Sequence, residues 1–121
     1  IIIEIGALPY AMERIKEDPA LYHSIMDIIH RMQKSNDEDE FIKADIEFHR
    51  ALVMASGIDP LIAFTDLLHV FFTRFHKSFT LANRRKGNKH HLQILQALRG
   101  EQLHVAQKLL REHLEYHHRH V

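Results

Sequence analysis

The sequence contains no cysteine and no tryptophan, and only four glycines and three prolines in 121 residues. Without cysteine there is no disulfide framework and no thiolate metal site, so metal chemistry here must use imidazole or oxygen donors. Absence of cysteine also fits a reducing, cytoplasmic setting. An excess of one charge is missing too. Sixteen Lys plus Arg balance sixteen Asp plus Glu, so no net field draws the chain to nucleic acid or an anionic membrane. No apolar run approaches the roughly 20 residues of a membrane span, and Ile1-Ile2-Ile3 is too short for a signal h-region before Glu4. The rest, 45% hydrophobic and 26% charged, is ordinary for a globular protein, and the length suits one core rather than two. A single domain over residues 1–121 is expected, and its abrupt apolar start is that of a piece of a longer chain.

What is abundant is histidine, with twelve residues. Histidine is the commonest metal ligand and the side chain that titrates near neutrality. The group His117-His118-Arg119-His120 reads as a solvated chain end.

The few glycines and prolines fall where helices should break. A first helix is expected over Glu4 to Glu17, disturbed near its start by Gly6 and Pro9. Asp18-Pro19 is an N-cap followed by proline at the first helical position, opening a second helix to about Lys34. Ser35 and Glu38 have capping-box spacing, which starts a third helix running to about Ala55, closed by Ser56-Gly57 with Gly57 in the left-handed position. Asp59-Pro60 opens a fourth helix to about Thr80, apolar on most sides as a central bundle helix should be. Arg84-Arg85-Lys86-Gly87 reads as an exposed loop, with Asn88 capping a fifth helix to about Leu98. Gly100 marks a corner before a sixth helix from Glu101 to about His118. No segment alternates as a strand would. The fold class is all-α, an antiparallel bundle of about six helices with short connections.

The 3.6-residue period shows where polar groups face inward. On the third helix the apolar stripe is Phe41, Ala44, Phe48, Leu52 and Ala55, with Asp45 and His49 along its edge on successive turns. His91 extends the stripe Ile94, Leu95, Leu98 of the fifth helix by one turn. His113 extends the stripe Leu103, Ala106, Leu109, Leu110 of the sixth. Burying such groups unpaired costs on the order of 1–3 kcal/mol or more each, and one divalent cation relieves all four together. Three neutral imidazoles and a carboxylate suit zinc, nickel, manganese or iron. Spacing alone leaves a second reading open, that of hydrogen-bonded core histidines. Mirroring about Gly100 sets His91 opposite position 109, so His113 is in reach only if the helices cross at an angle.

Other polar groups have local readings. Arg74 and His69 interrupt the apolar fourth helix; Arg74 could grip an effector carboxylate, and Asp66 and His69 could pair at i, i+3. Glu101/His104 and Glu115/His118 have E-x-x-H spacing, but a di-iron site needs that motif on two helices, and here both lie on one.

These residues resemble a known family. Asp45-Ile46-Glu47-Phe48-His49-Arg50-Ala51-Leu52, then Ala55-Ser56-Gly57-Ile58-Asp59-Pro60-Leu61, is similar to the D-x-x-F-H-x-x-L…A-S-G-N-P-x-L stretch of the FadR C-terminal (FCD) domain of GntR-family bacterial transcription regulators. His91-Leu92-Gln93-Ile94-Leu95-Gln96-Ala97-Leu98, followed by Ala106 and Arg111-Glu112-His113-Leu114, resembles that domain's E-H-x-x-I-x-x-A-I…A…H-L ending. The resemblance implies a dimerising six- or seven-helix bundle that senses a small molecule, often a carboxylate metabolite. It implies one metal ion, zinc foremost, on Asp45, His49, His91 and His113. It implies no enzyme and no catalytic residues, and DNA contact only through a separate N-terminal winged-helix domain absent from this chain. Three departures stand out: Gly6-Ala7-Leu8-Pro9 where the family often has an arginine pattern, His90 for an acidic residue before His91, and Ile58-Asp59 for asparagine before Pro60. The alternatives are a mononuclear metalloenzyme, since a His/Asp ion can activate water, and a purely structural dimerisation module.

Overall fold

In the computed structural model the backbone is described for residues 2–75 and 81–120, and side chains for residues 5–67 and 85–113. The described residues form six helices: α1 (Ile2–Glu17), α2 (Pro19–Lys34), α3 (Glu38–Ala55), α4 (Asp59–Phe75), α5 (Leu81–Arg99) and α6 (Leu103–His120). The all-α bundle expected from the sequence is what forms. No described helix is long and apolar enough to cross a membrane.

Most boundaries follow from local chemistry. The Asp18 carboxylate accepts the Leu21 N–H at 3.2 Å, with Pro19 opening α2. Gly57 ends α3 at φ 72°, its N–H bonded to the Met54 carbonyl at 3.0 Å.

Five expectations are corrected. The cap of α3 is Asp37, which accepts the Asp39 N–H at 2.9 Å; Ser35 instead closes α2 as its C-cap, its N–H bonded to the Met32 carbonyl. α4 begins from the Ile58 carbonyl, which accepts the Leu61 and Ile62 N–H groups, so Asp59 is its first residue rather than its cap. α1 runs unbroken through Pro9, because its buried face of Ala7, Leu8, Ala11 and Ile15 outweighs the bond proline removes. Residues 84–87 are helix, not loop: α5 starts at Leu81, Gly87 is buried, and Asn88 donates from Nδ2 to the Ile29 carbonyl of α2 at 3.1 Å. The sixth helix starts at Leu103 rather than Glu101, because Glu101 (φ 58°) is the left-handed residue of the corner that Gly100 opens; the Gln102 N–H returns to the Ala97 carbonyl at 2.8 Å in a Schellman closure.

A central place belongs to α3. It packs against α1, α2, α4 and α5, whereas Phe64 and Leu67 of α4 are 48% and 59% exposed. Phe48 and Leu52 of α3 are fully buried beside Leu8, Ile25, Ile29, Ile94, Leu95, Leu98 and Leu110. This core rigidly supports the polar cluster that interrupts it.

Candidate metal centre

Asp45 and His49 sit one turn apart on α3, which packs against four other helices, so the stripe that buries Phe48 and Leu52 also carries them inward. Asp45 is buried and the His49 side chain retains 15% exposure. α5 and α6 then bring in His91 and His113, both wholly shielded from solvent.

The four meet. His91 Nε2 lies 3.0 Å from Asp45 Oδ1 and 3.1 Å from His113 Nε2. His49 Nε2 lies 3.5 Å from Asp45 Oδ1 and 3.2 Å from His113 Nε2. One potential ligand atom from each residue falls within 4.8 Å of all the others. The reach of His113 follows from the turn. With α5 ending at Arg99 and α6 starting at Leu103, the hairpin mirrors about position 101 and sets His91 opposite 111. The remaining two residues amount to about 3 Å of helix rise, which imidazoles span.

The rings are held by stacking as much as by hydrogen bonds. Phe48 lies on the His91 ring at 4.2 Å between centroids and 18° between planes. His49 and His113 are parallel within 18° at 5.1 Å. His91 Nδ1 is buried with no hydrogen-bond partner among the described residues, so the ring is held by the Phe48 stack on its face and by the contacts of its Nε2.

Burial pushes the His91 pKa below the ordinary imidazole value, and the nearby Asp45 carboxylate opposes the shift only in part. A neutral imidazole is the form that can offer a lone pair. One Nε2 proton cannot serve all these close nitrogen contacts, so several lone pairs converge on one small volume. Donors about 2.1 Å from a common ion lie roughly 3.0 Å apart at right angles and 3.4 Å apart at tetrahedral angles. Three of the observed spacings, 3.0, 3.1 and 3.2 Å, fall in that range and a fourth is 3.5 Å, within a group that spans no more than 4.8 Å. This buried cluster could hold a metal ion.

The sequence marks His90 only as a departure from the family pattern, with no role attached. Its Nδ1 lies 3.3 Å from His113 Nδ1, on the side of that ring away from the cluster. Burial, then the positive charge of Lys86, lowers the His90 pKa. Its signals in the sequence were adjacency to His91 and the replaced acidic residue, since it lies off the apolar stripe. Asp66 takes a two-pronged contact from Arg50, with Nε to Oδ1 at 2.5 Å and Nη2 to Oδ2 at 3.1 Å, and its expected pairing with His69 lies outside the described residues. The side chains of His69 and Arg74 lie outside the described residues, as do those of Glu115 and His118. Glu101 pairs with Lys16 at 2.8 Å.

Fold and cluster together define a class: an all-helical binding domain with an internal Asp/His site. The FCD domain family model matches residues 1–116, and the chain belongs to that family, the effector-binding domain of GntR-family regulators. FCD domains are parts of transcription regulators. No curated protein and no solved structure gives a significant match.

Proposed function

We propose that this domain senses a small carboxylate metabolite around one divalent metal ion held by Asp45, His49, His91 and His113. The convergence of these four donors in a shielded site carries the reading. Zinc is the first choice of ion, with nickel, manganese and iron compatible with the same donors. Such an ion supplies Lewis acidity and an attachment point for carboxylate oxygens. Arg74 and His69, further along α4, are proposed to contact the effector, the arginine by a two-pronged grip.

The output is a change in DNA affinity of a separate winged-helix domain, transmitted through a homodimer in the bacterial cytoplasm. Effector binding shifts the dimer only by its differential affinity for two arrangements. Support for the dimer comes from apolar side chains left exposed on α4, Phe64 and Leu67, and on α3, where Met54 is 45% exposed. The metalloenzyme alternative needs a base beside the ion. Glu47, next in sequence to these ligands, instead meets Arg31 of α2 at 2.5 Å.

Elemental analysis of protein purified without a metal-affinity step tests the centre. About one equivalent of metal, lost in His113→Ala, is expected; less than about a tenth of an equivalent in the unaltered protein sinks the metal reading. Di- and tricarboxylates should raise the melting temperature, less so in Arg74→Ala. Turnover of such a compound would favour the enzyme, and no response to any of them would leave a structural module.

A further inference from the structure

We infer that His90 is a positioning residue for His113: its Nδ1 accepts the His113 Nδ1–H and so keeps the His113 Nε2 lone pair turned toward the cluster. The inference rests on the metal-site reading above for its purpose, though not for its geometry. The two Nδ1 atoms are 3.3 Å apart, the rings nearly perpendicular at 88° with centroids 5.4 Å apart. A neutral imidazole carries one proton, so the tautomer at one nitrogen decides the other. If Nδ1 of His113 bears the proton, its Nε2 is free to offer a lone pair where His49 and His91 Nε2 approach at 3.2 and 3.1 Å. With the opposite tautomer, Nε2–H of His113 would point into the cluster and block it as a donor.

The arrangement is a product of the hairpin. Mirroring about position 101 sets His90 opposite 112, one residue or about 1.5 Å of rise from His113, closer in register than His91 itself. Adjacent residues on α5 thus approach the two nitrogens of one ring from different sides. His91 meets Nε2 and His90 meets Nδ1. The half-buried position of His90 leaves its far side able to take a proton on Nε2, which the accepting role requires. Partners of this kind orient metal-bound histidines, and losing one typically weakens metal affinity 10–100-fold.

Asparagine and leucine at position 90 separate this role from mere packing. They are nearly the same shape, but only Asn carries an acceptor at the δ position. In long-range ¹H–¹⁵N spectra of the metal-free protein at pH 8, His113 should be the Nδ1–H tautomer in the unaltered chain and in His90→Asn. It should shift toward Nε2–H in His90→Leu. Chelator competition with zinc should show affinity near the original in His90→Asn and about tenfold or more weaker in His90→Leu. An unchanged His113 tautomer in His90→Leu overturns the inference whether or not zinc binds. Equal weakening by both variants also overturns it, because shape rather than acceptance would then matter. Failure of the metal reading shows differently, as no zinc uptake by the unaltered chain.

Discussion

His91 and His113 bring their Nε2 atoms to 3.1 Å, with both side chains shut off from solvent, across a hairpin whose corner is a left-handed glutamate. Two imidazoles so placed cannot both be charged without severe repulsion in a poorly solvated interior. The contact therefore ties the integrity of α5 and α6 to the protonation of the cluster.

Acid should loosen the metal-free protein. Burial holds the folded-state pKa of His91 below the ordinary value, and His90 is lowered in the same direction. The unfolded chain takes up these protons near pH ~6.5, the folded chain only at lower pH. Stability from the neutral rings is thus fully present above about 6.5 and is lost as pH falls through the folded pKa values. Melting of metal-free protein followed by circular dichroism should move to lower temperature between pH 7.5 and 5. A midpoint that holds or rises over that interval would contradict the assignment.

Phe48 supports both the core and the cluster. It is fully buried and stacked on His91, so Phe48→Ala should cost about 3–5 kcal/mol in urea unfolding. Phe48→Leu, which leaves a smaller void, should cost about 1–2 kcal/mol. It should also weaken zinc binding, since His91 loses the surface that orients it. Unchanged zinc affinity in a folded Phe48→Leu protein would show the stack to be incidental.

Gly57 is constrained twice. Its φ of 72° is costly for any residue with a Cβ, and such a Cβ would stand 2.6 Å from Arg14 Nη1 on α1. Gly57→Ala should destabilise by about 1–2 kcal/mol from the backbone alone. The arginine tip can swing away, so adding Arg14→Ala should recover less than about 0.5 kcal/mol of that loss. Recovery of most of it in the double variant would place the constraint in the contact instead.

Leu67 and Phe64 test the dimer. Leu67→Lys with Phe64→Glu should convert a dimer in sedimentation velocity to a monomer while leaving the helical circular dichroism signal intact, because both residues are exposed in the single chain. A sedimentation coefficient equal to that of the unaltered protein would move the interface elsewhere.

The bundle was legible because its punctuation is local: Asp18-Pro19 and Ser56-Gly57 act through their own turns. The start of α5 was not. Arg84-Arg85-Lys86-Gly87 has loop chemistry, and the helix continues through it to buried Asn88, which bonds the α2 backbone, a tertiary effect no window of sequence contains. The same distinction runs through the site. Asp45, His49, His91 and His113 could be read from helical period and family motif, since each extends an apolar stripe. His90 could not, because its value lies in a partner 23 residues away reached only after the Glu101 turn is known.

That turn also sets an order in time. Sixty-four residues separate His49 from His113, so a shared ion would act as a cross-link closing that length of chain, a constraint on the unfolded ensemble of about 4 kcal/mol by the arithmetic used for disulfides. On a ribosome Asp45 and His49 are made well before α6, and His91 twelve residues before it begins. A nascent chain could therefore pick up an ion loosely and exchange it. Once the Glu101 corner folds back and delivers His113, exchange should slow sharply, making the sixth helix the clasp that decides which metal is kept.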